Sequence, residues 1–197
     1  MSTRHLTCVV VGGEYKVAQF GQFDGYPSGQ GVDILDFLRN KLKRELFFSK
    51  LSKTYQPNDE QINHWWVELG HDLKNGNGFV SFDLARKFDE NHPSLSRSTG
   101  GKILELIQNA DDPLPLLLDK EFAADSLFCE WCYVVDFDKG TFEVFKGFNR
   151  TQLTEDERFY GMNVDSGYHP VKLSHSFNLN ELPTNDEFIA TLESQED

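Results

Sequence analysis

The 197-residue sequence has little cysteine and lacks any long apolar run. Its three cysteines are an odd number and too few for the disulfide framework of a small secreted domain. No segment approaches the roughly 18 apolar residues of a membrane span, and no basic stretch followed by an apolar one opens the chain. These absences argue against a disulfide scaffold and a membrane-spanning protein, and they predict a reducing compartment, cytoplasm or nucleus, of which we take the cytoplasm.

The chain is also short of basic residues, because 19 Lys and Arg stand against 32 Asp and Glu, giving a net charge of −13. Such an excess of negative charge opposes contact with nucleic acid and with anionic membranes, so neither is expected as a partner. Solubility is the simplest role for the charge. An acidic surface that binds a basic protein partner is the alternative.

What the chain does contain is ample material for a core, since 39% of its residues are hydrophobic and 17 are Phe. Apolar and β-branched runs predict strands at 5–11, 14–20, 126–136, 141–148 and 171–179. Gly12 and Gly13 form the predicted turn of the first hairpin. Strands at both ends of the chain predict a single α+β domain over 1–197, with a mostly antiparallel sheet formed by N- and C-terminal hairpins and a short acidic C-terminal tail.

Apolar residues at helical spacing, together with capping residues, predict four to five helices packed with this sheet. They are expected at 32–51, 58–73, 81–90 and 99–109, with a last helix beginning at Pro183 and Thr184. Residues 75–78, Asn-Gly-Asn-Gly, are expected to end the second helix because they tolerate left-handed backbone geometry.

The densest local signal is the 19–31 segment, with four glycines, one proline and three aromatic residues. It cannot continue an ordinary strand, and it leads into a helix start of the kind that suits an anion. It lacks the Gly-Lys-Ser/Thr ending of a phosphate-binding loop, and Ile34 replaces the third glycine of a dinucleotide fingerprint. A tight structural turn is therefore favoured, but the polar side chains predict the rim of a small-ligand site: Gln22, Asp24, Tyr26, Ser28 and Gln30.

A second helix start carries hydroxyls, glycines and cations and is a candidate anion site, formed by Arg97, Ser98, Thr99 and Lys102. Helix capping by Ser98 or Thr99 is the simpler explanation. The functional interpretation gains weight if both glycine-bearing segments face one cleft.

No metal site or cofactor site is predicted. Cys129 and Cys132 have the spacing of a redox or zinc motif, but in a strand their sulfurs would point to opposite faces, so both are assigned to the core. Asp136, Asp138 and Gly140 imitate a calcium loop, yet Gly147 stands where the bidentate acid is needed, and a hairpin turn is predicted instead.

One catalytic scheme follows from the start of the chain. Removal of Met1 would expose Ser2 ahead of a strand and hairpin, and this order resembles that of N-terminal-nucleophile hydrolases, in which the free amine is the base. The weak catalytic candidates are accordingly Ser2, Arg4, His5 and Asp24.

A further resemblance rests on Thr3-Arg4-His5-Leu6 and on the run from Phe20 to Gly31. These residues are similar to the marks of a family without an assigned activity, namely a Thr-Arg-His-Leu strand and a Tyr/Phe-Gly-Gln-Trp/Phe-Asp-Gly-Tyr-Pro-Ser-Gly-Gln-Gly segment. The resemblance implies one compact domain and no particular reaction. The sequence thus favours a small-molecule or anion-binding protein, with a hydrolase of the N-terminal-nucleophile type as its enzymatic form and an acidic interaction or inhibitory protein as the alternative.

Overall fold

The computed structural model describes residues 2–72, 80–162 and 167–193. Within them, five strands form one sheet in the order β2-β1-β3-β4-β5. Their bounds are β1 (His5–Val11), β2 (Glu14–Gly21), β3 (Trp131–Asp136), β4 (Thr141–Lys146) and β5 (Lys172–Asn178). Only β1 and β3 pair in parallel, and the other three pairs are antiparallel. The predicted α+β class with a mostly antiparallel sheet is confirmed.

The described residues also contain six α-helices, more than the four to five that the sequence predicts: α1 (Val32–Asp36), α2 (Arg44–Leu51), α3 (Asp59–Glu68), α4 (Phe82–Asn91), α5 (Ile103–Asn109) and α6 (Asn185–Glu193). Short π-helical segments, Pro27–Gly31 and Phe37–Lys41, extend α1 at both ends. Single 3₁₀ turns lie at Pro93–Leu95, Gly100–Lys102 and Lys120–Ala124. The predicted turn at 75–78 and the acidic tail lie outside the described residues.

The two hairpin turns of the sheet are as predicted and contact each other. Gly12 and Gly13 both have positive φ, +64° and +75°, which suits glycine. Asp138, in the turn between β3 and β4, accepts hydrogen bonds from the Gly12 and Gly13 backbone N–H groups at 2.9 and 2.8 Å. The region that imitates a calcium loop is therefore a hairpin turn that supports the neighbouring turn.

Side chains alternate between the two faces of the sheet and form one apolar cluster on each. On the helix face, Val9, Tyr133 and Phe142 pack with residues of α1, α2, α5 and α6. On the opposite face, Leu6, Cys8 and other strand residues pack against Leu153, Phe159, Val171 and the Lys120–Ala124 turn. We call these the helix face and the loop face.

The predicted helix over 32–51 is broken in the structure. Leu42 and Lys43 have extended ψ angles of 117° and 91°, between the Phe37–Lys41 segment and α2. Gln108 of α5 stabilises the break, because its side chain accepts from the Lys43 N–H at 2.7 Å and donates to the Lys41 carbonyl at 3.0 Å. The apolar spacing across residues 32–51 contains no signal for a cap supplied by a residue so distant in sequence.

The strand predicted from residue 126 begins only at Trp131. Residues 125–129 form a turn instead, in which the Asp125 carbonyl accepts from the N–H groups of Phe128 and Cys129 at 3.0 and 2.7 Å. In the described part of the chain, no helix has the length and apolar character needed to cross a bilayer.

Candidate functional site

The two segments that the sequence singles out separately lie in contact. The Gln19 side chain donates to the Ser96 carbonyl at 3.0 Å, and the Gln22 N–H donates to the Arg97 carbonyl at 2.8 Å. The Gln30 Oε1 atom accepts from the Gly101 N–H at 2.7 Å. Three hydrogen bonds therefore hold residues 96–102, which we call the 96–102 segment, against the 19–31 segment.

His5 lies between these two segments and is fully buried. A Cβ atom at Gly21 would lie 2.0 Å from His5 Cε1, and one at Gly25 would lie 2.9 Å from His5 Cβ. A Cβ atom at Gly100, whose φ is +50°, would lie 2.8 Å from His5 Nε2. Glycine is needed at these positions because the backbone closes directly around the imidazole ring.

Buried polar atoms without hydrogen-bond partners are concentrated at the start of β1. Of six such side-chain atoms in the described residues, five belong to residues 3–7: Thr3 Oγ1, Arg4 Nε, His5 Nδ1, His5 Nε2 and Thr7 Oγ1. Burial lowers the pKa of His5 to about 4. The ring is therefore neutral at pH 7.

This enclosure leaves no space for a ligand against the ring, so the described geometry makes His5 a packing residue. The residues of the predicted rim lie in different environments. Gln30 is buried and bonded to Gly101, whereas Asp24, Tyr26 and Ser28 are exposed, Tyr26 to 44%. The four cavities that the structure describes, of about 140 to 470 Å³, are lined by residues of other segments.

Backbone contacts explain the conformation of the 19–31 segment. Asp24 has a positive φ of 55°, and its carbonyl accepts from the Gln30 N–H at 3.0 Å. The buried Tyr133 hydroxyl donates to the Gly25 carbonyl at 2.7 Å. The favoured interpretation of this segment as a tight structural turn thus agrees with its geometry.

The side chains of Ser2 and Arg4, two of the remaining catalytic candidates, contact Gln22, Phe128 and Glu130. The exposed Ser2 hydroxyl donates to the Gln22 carbonyl at 2.6 Å and accepts from the Gln22 side-chain amide at 2.8 Å. A carbonyl takes no proton from a serine, so this contact does not activate it. Arg4 lies over the Phe128 ring, 4.6 Å from its centroid, with its NH2 nitrogen 3.7 Å from Glu130 Oε1. Met1 lies outside the described residues.

The second candidate site opens onto a groove. A surface groove of about 340 Å³ lies between α4 and the 96–102 segment, and we call it the α4 groove. Its lining is formed by Arg86, Asp89, Glu90, Ser96, Ser98, Thr99, Lys102 and Leu106. Three of the four predicted residues are therefore brought together. Arg97 is not among the lining residues, and its carbonyl is held by Gln22.

The predicted helix capping by Ser98 or Thr99 is wrong. Among the described residues, no side-chain hydrogen bond caps the Gly100–Lys102 turn or α5, and Thr99 itself has helical backbone angles. The Thr99 hydroxyl instead donates to the Pro93 carbonyl at 2.5 Å. Ser98 is exposed, and its hydroxyl has no hydrogen-bond partner in the described part of the chain. Ser98 and Lys102 thus keep their polar groups available in the groove.

Cysteine chemistry finds little support in the structure. All three cysteines are free and buried. Cys129 and Cys132 lie in one cluster on the loop face, so the expectation that their sulfurs point to opposite faces is wrong, because Cys129 precedes the strand. Burial raises the pKa of both thiols well above the ordinary value, which keeps them protonated. Among residues 2–72, 80–162 and 167–193, no group of three or more His, Cys, Asp or Glu is placed to hold a metal ion.

Sequence reasoning missed two features that shape the polar chemistry of the molecule. Arg86 lies on α4 and lines the groove together with residues of the 96–102 segment. The sequence pattern of α4 does not indicate that Arg86 has this position. On the loop face, Arg158 donates to Glu143 at 2.5 and 2.9 Å and to Asp136 at 2.5 Å. Asp136 and Glu143 belong to one hairpin, whereas Arg158 lies 22 and 15 residues further along the chain and is brought to them by the fold.

Comparison of the chain with protein-family models, with curated protein sequences and with solved structures finds no match.

Proposed function

We propose that this protein binds a small molecule with an anionic group in the α4 groove. The observation that carries the proposal is that Lys102, Ser98 and Arg86 line one groove in a chain with a net charge of −13. Hydroxyl donors beside cations are the usual partners of a carboxylate or phosphate oxygen. The proposal keeps the small-ligand function expected from the sequence and moves its site to the neighbouring 96–102 segment.

Charges around the groove favour its Lys102 side. Asp89 and Glu90 also line it and offset the two cations. Arg86 lies 3.9 Å from both Asp83 and Glu90, at the outer limit of an ion pair. Lys102, by contrast, has no acidic partner within 4 Å in the described residues. An anion beside Lys102 and Ser98 therefore gains a cation without displacing an existing ion pair.

The 19–31 segment has a supporting role in this proposal. Its hydrogen bonds to Ser96, Arg97 and Gly101 hold the backbone that carries Ser98 and Lys102. A binding site on a loop needs such support, because a loop that moves loses binding energy to ordering.

The test is titration of the full chain with inorganic phosphate and acetate, followed by backbone amide shifts in NMR spectra. Residues 96–102 and α4 should respond, and Lys102→Gln should weaken binding about five- to tenfold, corresponding to ~1 kcal/mol for an exposed charge contact. Lys87→Gln is the matched control, since Lys87 is exposed on α4 and does not line the groove. Equal weakening by both substitutions would reduce the effect to general charge and end the proposal.

The other functional predictions remain open to simple measurements. Hydrolase chemistry at Ser2 requires a free amine, so an intact mass that retains Met1 or shows an acetyl group rules it out. Association with a basic protein predicts binding that weakens as salt rises. The expected cytoplasmic location, and the expectation that nucleic acid is not a partner, rest on cysteine content and charge, and cell fractionation and a nucleic-acid binding assay test them.

A further inference from the structure

A second and more apolar groove adjoins the α4 groove. It has a volume of about 470 Å³, and we call it the Leu114 groove. Its lining is formed by Pro93, Lys102, Glu105, Leu106, Asn109, Ala110 and Leu114. Lys102 and Leu106 line both grooves, so the two share part of their walls.

The distribution of charge over the two grooves is uneven. Among the described residues that line the Leu114 groove, Glu105 is the one acid, and its carboxylate accepts from Lys41 Nζ at 3.2 Å. The rest of that groove is mainly aliphatic. Lys102 therefore stands at the boundary between a polar region with hydroxyls and charges and an apolar region of similar size.

We infer that the ligand is amphipathic, with an anionic group beside Lys102 and an aliphatic part in the Leu114 groove. This inference rests on the proposed function, since it places the anionic group at the same lysine. A free small carboxylate or phosphate ester with a short alkyl chain matches this arrangement: the charge meets Lys102 and the chain covers Leu106, Ala110 and Leu114. A ligand with an anion alone would leave the apolar surface exposed.

The affinity of an amphipathic ligand should depend on the length of its alkyl chain. Burial of a methylene group contributes about 0.8 kcal/mol when complete, which corresponds to roughly fourfold in affinity. An open groove covers the chain only in part, so we expect about twofold per added carbon. The dependence should level off once the chain extends beyond the groove.

The experiment titrates the full chain with linear carboxylates from acetate to octanoate and with inorganic phosphate, followed by NMR. Affinity should rise steadily with chain length, and shifts should spread from Lys102 to Leu106 and Ala110. Leu106→Gln should flatten the chain-length dependence. Because Leu106 also packs on the core, Asn109→Asp at an exposed lining position is the second variant, and it should weaken octanoate much more than acetate.

The outcomes separate this inference from the function on which it depends. Lys102-dependent binding of acetate and phosphate without a chain-length effect overturns the amphipathic ligand and leaves the anion site standing. Absence of all Lys102-dependent binding removes both. A response to vesicles of anionic phospholipid but not to free octanoate would assign the grooves to a membrane surface and also overturn the inference.

Discussion

Two buried polar clusters lie on opposite faces of the sheet, and they differ in whether their polar groups have partners. On the helix face, at the start of β1, His5 and Thr7 have side-chain polar atoms with no hydrogen-bond partner among the described residues, and backbone packs closely around His5. On the loop face, Asp136 and Glu143 are held by Arg158 in hydrogen-bonded ion pairs. The first cluster avoids charge, and the second retains charge by pairing it.

Proton affinities follow from this difference. Burial alone favours the neutral form of every group, and it lowers the pKa of His5 to about 4. For Asp136, burial also opposes ionisation, but hydrogen bonds from Arg158 and from the Lys139 and Asp138 N–H groups outweigh it and hold the pKa below the ordinary value. Burial of a polar group therefore has no fixed consequence, because the available partners decide its charge.

Removal of the cation from the ion-paired cluster should have the largest effect on stability. Arg158→Met leaves two carboxylates buried on the loop face, where Asp136 is 2% and Glu143 7% exposed. We expect a loss of about 3–5 kcal/mol in the free energy of unfolding, measured by urea denaturation.

Arg150→Met is the matched control for that substitution. Arg150 makes an exposed contact with the Tyr168 hydroxyl at 3.1 Å, so its replacement should have little effect on the free energy of unfolding. Similar losses in the two variants would contradict the assignment of Arg158 as the residue that neutralises the loop-face carboxylates.

The two clusters should lose their contributions to stability in different pH ranges as acid is added. The folded protein binds a proton at His5 only near pH 4, whereas an unfolded chain does so near pH 6.5. The stability contributed by the neutral ring is therefore complete above pH 6.5 and falls as the pH drops toward 4, by up to ~3 kcal/mol. The pKa of Asp136 is lowered from 3.8, so its contribution is lost only below that range.

Urea denaturation of the wild type and His5→Gln at pH 7, 5.5 and 4 measures this effect. His5→Gln should show a smaller loss between pH 6.5 and 4, and both proteins should lose stability at lower pH as Asp136 is protonated. Parallel pH profiles down to pH 4 would refute a neutral buried His5.

The sequence predicts the elements of the fold better than the contacts that join them. Gly12-Gly13 and the turn after Asp136 have local chemistry that specifies a hairpin, so both are predicted correctly. The break at Leu42 depends on Gln108, and the Arg158 cluster depends on residues in three separate elements. No local pattern encodes such contacts. The candidate segments are likewise found from composition, whereas their contact and the contribution of Arg86 come only from the fold.

The closed packing around His5 gives a third test. In Gly21→Ala the added methyl would lie 2.0 Å from His5 Cε1, which forces the ring or β2 to move. We expect a loss of about 1–3 kcal/mol in urea denaturation. Gly13→Ala is the control. A Cβ atom at Gly13 would have no described atom within 4 Å, so we expect only the backbone strain of its positive φ, +75°, to destabilise the variant, by about 1 kcal/mol. The double variant Gly21→Ala/His5→Ala should lose less free energy of unfolding than the two single variants lose together, because the ring that clashes has been removed. Strict additivity of the two losses would show that the clash is not with the ring.

The smallest effect has the opposite sign. Thr7 is fully buried and its hydroxyl has no hydrogen-bond partner in the part of the chain that the structure describes, so removal of that hydroxyl from water destabilises the folded protein. Thr7→Val keeps the branched shape and should raise the free energy of unfolding by about 1 kcal/mol. Thr141→Val is the control: the Thr141 hydroxyl donates to Glu143 Oε1 at 3.1 Å, so its removal should destabilise the protein. A loss of stability in Thr7→Val would mean that this hydroxyl is hydrogen-bonded in solution, and the contrast between an unpaired and a paired cluster would then no longer hold at β1.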